Sequence, residues 1–146
     1  MGRTIREAVS AVMMCAPLVL AVVSIWTLLP TVPPALVVHI DRAGSVDGTA
    51  PTWVLLTIAL GLALIAATLG LAGLRGSDNE HRRSQRGLAG GAAMLGLVVW
   101  TCSAAFTRQA GTGTELFALP VVLGVFGAIL WGVLCLVVTP GDRFGD

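Results

Sequence analysis

Apolar residues along this chain come in four long runs, and almost every polar or charged residue falls between them. The runs extend from Ala8 to Leu29, Trp53 to Leu74, Gly87 to Thr107 and Leu116 to Val138, and none contains Asp, Glu, Lys, Arg or His. Each reaches the ~20 residues that cross a ~30 Å hydrocarbon core at ~1.5 Å per residue. Backbone N–H and C=O groups have no water partner in lipid, so such runs are expected as helices. The pattern therefore predicts an all-α integral membrane protein, a bundle of four transmembrane helices forming one domain over residues 1–146. The longest stretch between spans, Pro30 to Thr52, is read as an extended or hairpin-like loop between helices 1 and 2.

Composition strengthens this reading. Hydrophobic residues make up 55% of the chain and charged residues 12%, about half the charged share of a water-soluble domain. All nine basic residues are arginines. With the N-terminus placed in the cytoplasm, Arg3, Arg6, Arg75, Arg82, Arg83, Arg86 and Arg143 share that side, against Arg42 and Arg108 opposite. This bias predicts a multi-pass cell-membrane protein with both termini cytoplasmic and the 30–52 loop outside. Trp26, Trp53, Phe106 and Phe117 fall near the outer ends of the spans, where an interfacial belt belongs, while Trp100 and Trp131 read as packing residues. The first run is too long for a cleaved leader and lacks a small-x-small site, so it is expected to stay as an anchor. The partner implied throughout is the lipid bilayer, and no basic, aromatic-laced surface suggests nucleic acid.

Small residues locate helix contacts, because lipid supplies no hydrophobic drive between helices and close approach matters. Gly124, Ala128 and Gly132 recur every four residues in the fourth run. Ala59, Ala63 and Ala67 do so in the second, and Gly87, Gly91, Ala92 and Gly96 stand in the third. These predict packing within the bundle in preference to a homodimer seam. Pro17 and Pro120 are expected to bend the first and fourth helices. Cys15, Cys102 and Cys135 are odd in number, lie in apolar runs and lack CxxC spacing, so they read as small buried hydrophobes. The connection from Arg75 to Arg86 carries a capping-box pattern, Ser77 to Glu80, which starts the third helix near Asp78. Its Arg82, Arg83 and Arg86 are expected to meet anionic lipid headgroups. Gly111 and Gly113 mark a turn. Glu7, just before the first span, is expected to remain in water beside the start of the first helix.

Candidate chemistry then concentrates in the 30–52 loop. Pro30 ends the first helix, and Pro33 and Pro34 hold an extended course. The segment ALVVHID is β-prone, and alternation places Leu36, Val38 and Ile40 on one face and Val37, His39 and Asp41 on the other. Asp41 to Gly44 and Asp47-Gly48 read as turns. His39, Asp41 and Asp47 form a possible set of three metal ligands, but a fourth ligand is absent and local hydrogen bonding accounts for the same residues. No metal or other cofactor is therefore assigned. Acid–base chemistry by His39 with an aspartate lacks an identifiable nucleophile or pocket.

The order Pro33-x-x-Leu36-Val-Val38-His39-x-Asp41-x-x-Gly44-x-x-Asp47-Gly48 resembles the signature of a widespread bacterial membrane domain of unknown function. That domain follows a first transmembrane helix with Leu-Pro, then His, an aromatic, Asn or Asp, Gly, and Asp. It occurs in the SdpI-type immunity proteins, which protect a producing cell from its own secreted toxin. The resemblance runs from Trp26 to Trp53. Ile40 and Thr49 stand where that family usually has aromatic residues, and the further helices of its longer members have no counterpart here. It implies a non-enzymatic immunity or signalling protein that meets an extracytoplasmic peptide or protein partner through Pro33, His39, Asp41, Gly44, Asp47 and Gly48. The alternatives from other classes are a small transporter or transporter subunit and a metal-dependent membrane enzyme. The absence of an ionisable group inside any span counts against transport.

Overall fold

A computed structural model of the chain describes residues 3–41, 45–74, 82–110 and 119–140. Its elements are α1 (Arg3–Leu28), a 3-10 turn (Leu29–Thr31), β1 (Ala35–Ile40), β2 (Val46–Pro51), α2 (Thr52–Leu74), α3 (Arg82–Ala110) and α4 (Leu119–Val138). All four helices are long and apolar enough to cross a membrane. The expected four-helix architecture is present, and the loop between α1 and α2 is an antiparallel two-stranded sheet.

Helices α1 and α3 extend beyond the uncharged runs, because arginine and glutamate are good helix formers that continue a turn into the interface. α1 starts at Arg3 rather than Ala8, and α3 runs from Arg82 to Ala110 rather than Gly87 to Thr107. The proposed cap at Ser77–Glu80 and the Gly111–Gly113 turn lie outside the described residues. Pro17 sits inside α1 with its ring buried. Pro120 is the second described residue of α4, and residues 111–118, which precede that helix, lie outside the described residues.

Consecutive helices pack side by side, and α3 is the central element. It touches α1, α2, α4 and strand β1. Near the hairpin, Ala21, Leu36, Leu55, Ala59, Leu97 and Trp100 form one buried cluster; toward the chain termini, Met14, Ala66, Ala93 and Cys135 form another. Trp100 is fully enclosed and its Nε1–H donates to Ser24 Oγ. Trp26 and Trp53 stand exposed at the hairpin end, as an interfacial belt requires. α4 leans mainly on α3 and buries only Ala128 and Cys135 among its side chains.

The α3–α4 seam is built on small residues. Gly132 faces Gly87 and Gly91 so closely that a Cβ there would lie 2.9 Å from the Gly87 carbonyl oxygen and 3.1 Å from Gly91 Cα. Gly124 meets Val98, and Ala128 is 3% exposed on the same side. In the second run, Ala59, Ala63 and Ala67 are likewise buried. Removing side-chain bulk lets two backbones approach, which replaces the hydrophobic drive that lipid does not supply.

Candidate functional site

The hairpin is held to the bundle at three points. Pro30 forces α1 into the 3-10 turn, and Val32 takes φ −102° and ψ 145°, the extended region imposed on a residue preceding proline. At the other edge Thr52 opens α2 immediately after Pro51; its N–H donates to the Pro34 carbonyl at 2.8 Å and its hydroxyl to the Pro33 carbonyl at 2.6 Å. Pro33 thus contributes a backbone acceptor that closes the base of the hairpin. In the middle, the Val37 N–H donates to Thr107 Oγ1 of α3 at 2.8 Å, and that hydroxyl donates in turn to the Ser103 carbonyl. Leu36 completes the anchorage with no exposed surface, inside the Trp100 cluster.

Simple alternation along β1 does not hold. Leu36 and Val37 are both buried, whereas Val38 and His39 are both exposed. The pairing explains the change: Val37 faces Thr49, His39 faces Gly48 and Ile40 faces Val46, with irregularities on both sides of His39. Val38 is therefore an extra residue on β1 and Asp47 an extra residue on β2. The two bulges compensate, so register is recovered at Ile40. Bulges re-aim side chains locally, and here they leave His39 and Asp47 adjacent on the open side.

His39 Nδ1 and Asp47 Oδ1 are hydrogen-bonded across the hairpin, with side chains 68% and 47% exposed respectively. With neutral His39, a carboxylate at Nδ1 makes that nitrogen the donor and leaves Nε2 as an acceptor toward solvent. Gly48 makes room for the ring, since a Cβ at that position would lie 2.8 Å from His39 Cβ. Here the absence of a side chain is a steric requirement rather than a question of φ.

Asp41 does not join this pair. Its carboxylate accepts the Ser45 N–H at 2.8 Å, and its own N–H donates to the Ser45 carbonyl at 2.9 Å, which closes the hairpin turn. Asp41 is thereby a turn residue, as its tendency to fold back on nearby amides favours. The metal-ligand set suggested by His39, Asp41 and Asp47 is not assembled, and among the described residues no group of three His, Cys, Asp or Glu side chains is placed to hold an ion. Gly44 lies outside the described residues. Ile40 is half-buried and Thr49 exposed, so the two positions where the resemblance expects aromatic rings carry an aliphatic and a hydroxyl side chain.

A second polar cluster corrects the sequence reading. Glu7 is not in water and Arg86 does not meet headgroups. Arg86 is 1% exposed, and its Nη1 donates to Glu7 Oε2 at 3.0 Å and to Ser10 Oγ at 3.1 Å. Its Nη2 reaches the Gly70 carbonyl at 3.4 Å. Ser10 and Thr139 hydroxyls lie 2.9 Å apart, and Thr139 donates to the Cys135 carbonyl. Since Thr139 spends its proton on Cys135, Ser10 is the donor between the two hydroxyls, and the chain runs Arg86 to Ser10 to Thr139. One network thereby joins α1, α2, α3 and the end of α4. The Nε of Arg86 is buried and meets no hydrogen-bond partner among the described residues.

Nearby arginines serve the end of α4. Arg6 donates to the Val137 and Val138 carbonyls, and Arg83 Nε to the Leu136 carbonyl at 2.8 Å. These carbonyls have no intrahelical donors, and cations near a helix C-terminus also oppose its dipole.

Helical register held a signal for the buried pair. Glu7, Ser10, Met14, Pro17 and Ala21 follow one stripe of α1, and all are buried. Arg86, Ala93 and Trp100 recur every seven residues on α3 and are buried as well. Extending each apolar stripe by one step reaches the two charged residues.

Comparison with protein-family models, with curated proteins and with solved structures gives no match to this chain. The geometry of the two clusters is thus the basis for a functional reading.

Proposed function

We propose that this chain is a non-enzymatic, multi-pass protein of a bacterial cell membrane that recognises a peptide or protein at its outer face. His39 and Asp47 are the contact pair. The observation that carries this reading is an exposed, mutually oriented acid–imidazole pair on a hairpin tied to three helical segments. A surface ordered before contact spares the partner the entropy of ordering a loop. The excess of arginines on the side of both termini supports a cytoplasmic location for that side, and hence an outer location for the hairpin. The resemblance of the 30–52 segment to the SdpI-type immunity proteins supports a membrane-active peptide as the agent recognised, with protection or signalling as the outcome.

Survival under challenge tests it. Sensitive cells expressing the full chain are expected to outlive control cells when exposed to a membrane-active secreted peptide, and His39→Ala or Asp47→Ala is expected to remove the advantage. Equal survival of all four strains removes the immunity version.

One observation favours a second reading, a small transporter or a subunit of one. Glu7 is an acid inside the bundle, the group whose apparent absence counted against transport. Its pairing with Arg86 supports a scaffold role in preference. Proton- or solute-driven flux in proteoliposomes that Glu7→Gln abolishes, with the fold intact, is the result that promotes the transporter.

A further inference from the structure

Between α3 and α4 lies an open apolar slot of about 690 Å³. Gly87, Gly91, Ala128 and Gly132 line it where the two backbones approach most closely. Along α3 it runs from Ser84 to Leu95 and along α4 from Val125 to Leu136. Each wall is about 16 Å long at ~1.5 Å per residue, close to half of a ~30 Å hydrocarbon core. The slot has the length of one leaflet, and it opens sideways where lipid would lie.

Its polar end is marked. Arg83 lies four and eight residues before Gly87 and Gly91, on the same helical face. Its Nε bonds the carbonyl of Leu136, whose side chain lines the slot, while the Arg83 side chain remains exposed. A guanidinium is thus tethered beside one end of an acyl-length trough, next to the lining residues Ser84 and Leu136. A second groove of about 580 Å³ lies between α1 and α2, lined by residues from Ala8 to Leu20 with Leu71 and Leu74.

We infer that the α3–α4 slot is a site for one anionic phospholipid from the leaflet on the side of the chain termini. One acyl chain lies over Gly91 and Gly132, and the phosphate sits at Arg83. A second transmembrane helix is disfavoured as occupant by the slot's half-bilayer length, and an anionic headgroup is favoured by the Arg83 charge beside that end. The inference is independent of what the hairpin recognises.

The full chain is reconstituted in vesicles of equal phosphatidylglycerol and phosphatidylcholine, extracted in mild detergent and weighed intact by native mass spectrometry. The wild-type chain is expected to retain one phosphatidylglycerol in preference to phosphatidylcholine. Arg83→Gln, a change at an exposed side chain, is expected to lower that preference about five-fold, the gain typical of one basic residue at an anionic surface. Ala92→Phe, which fills the slot, is expected to expel the retained lipid, whereas Ala16→Phe in the α1–α2 groove leaves it in place; circular dichroism verifies helix content in each. Equal retention of both lipids by the wild type overturns the site. So does undiminished preference in Arg83→Gln, or a lipid-free dimer cross-linked through Leu95→Cys.

Discussion

At the hairpin end of the bundle, Asp47 holds His39 in the open; at the termini end, Glu7 holds Arg86 where almost no solvent reaches. Both are acid–base pairs, but their surroundings set opposite energetics. His39 and Asp47 both remain open to solvent, so breaking the pair costs about 0–1 kcal/mol, the range for exposed pairs. Arg86 has given up nearly all of its hydration and recovers it from Glu7, Ser10 and Gly70. Removing one partner there leaves a buried charge unmatched, at about 3–5 kcal/mol. The pair that matters least to stability is the one left free to meet another molecule. The pair that matters most joins the helices, and both of its members are buried inside the protein.

The largest test of this contrast is Glu7→Ala, expected to lower unfolding stability in detergent or bicelles by about 3–5 kcal/mol because Arg86 stays buried without its counter-ion. Replacing both residues, as Glu7→Leu with Arg86→Met, is expected to recover much of that loss, since no stranded charge remains. If the double variant is as unstable as the single one, the network is held by packing rather than by charge.

A smaller effect is expected where the hairpin meets the bundle. Thr107→Val removes the acceptor of the Val37 N–H while keeping shape, which strands a buried donor at about 1–3 kcal/mol. Hydrogen exchange at the Val37 amide should accelerate and reach neighbouring hairpin amides, while α2 and α4 exchange as before. Exchange confined to Val37 itself would show that Leu36 and the Thr52 bonds secure the hairpin without Thr107.

The smallest change in stability belongs to His39→Ala, expected within about 1 kcal/mol of the wild type despite its proposed weight in recognition. A melting curve displaced as far as that of Glu7→Ala would erase the distinction between the two ends.

Much of this architecture was legible in the residue order. Uncharged runs of sufficient length leave the backbone no alternative to helix in lipid, so four apolar runs dictate four helices. Pro30, Pro33 and Pro34 likewise dictate where α1 stops, through ring sterics that act within a few residues. Gly124, Ala128 and Gly132 marked a packing face because small residues at four-residue spacing share one side of a helix. The chain reversal after Asp41 that brings Asp47 back toward His39 was also legible, although Asp47-Gly48, read as a turn, belongs to β2. Each of these is a local matter, settled by neighbours in sequence.

The tertiary structure decided what local rules could not. Whether an arginine beside the bilayer faces headgroups or the bundle depends on residues far along the chain. Arg86 finds Glu7 and Ser10 on α1, while Arg83 finds Leu136 on α4. Alternation along β1 failed because two compensating bulges shift the pairing around His39. Asp41 left the metal-ligand set for the turn amide of Ser45. By itself the sequence determined that four helices must form and where chain direction reverses, since backbone hydrogen bonding and proline sterics act at short range. Which charges are buried, and which of two acid–base pairs stays open to a partner, was decided only when the helices came together, because desolvation depends on everything packed around a group.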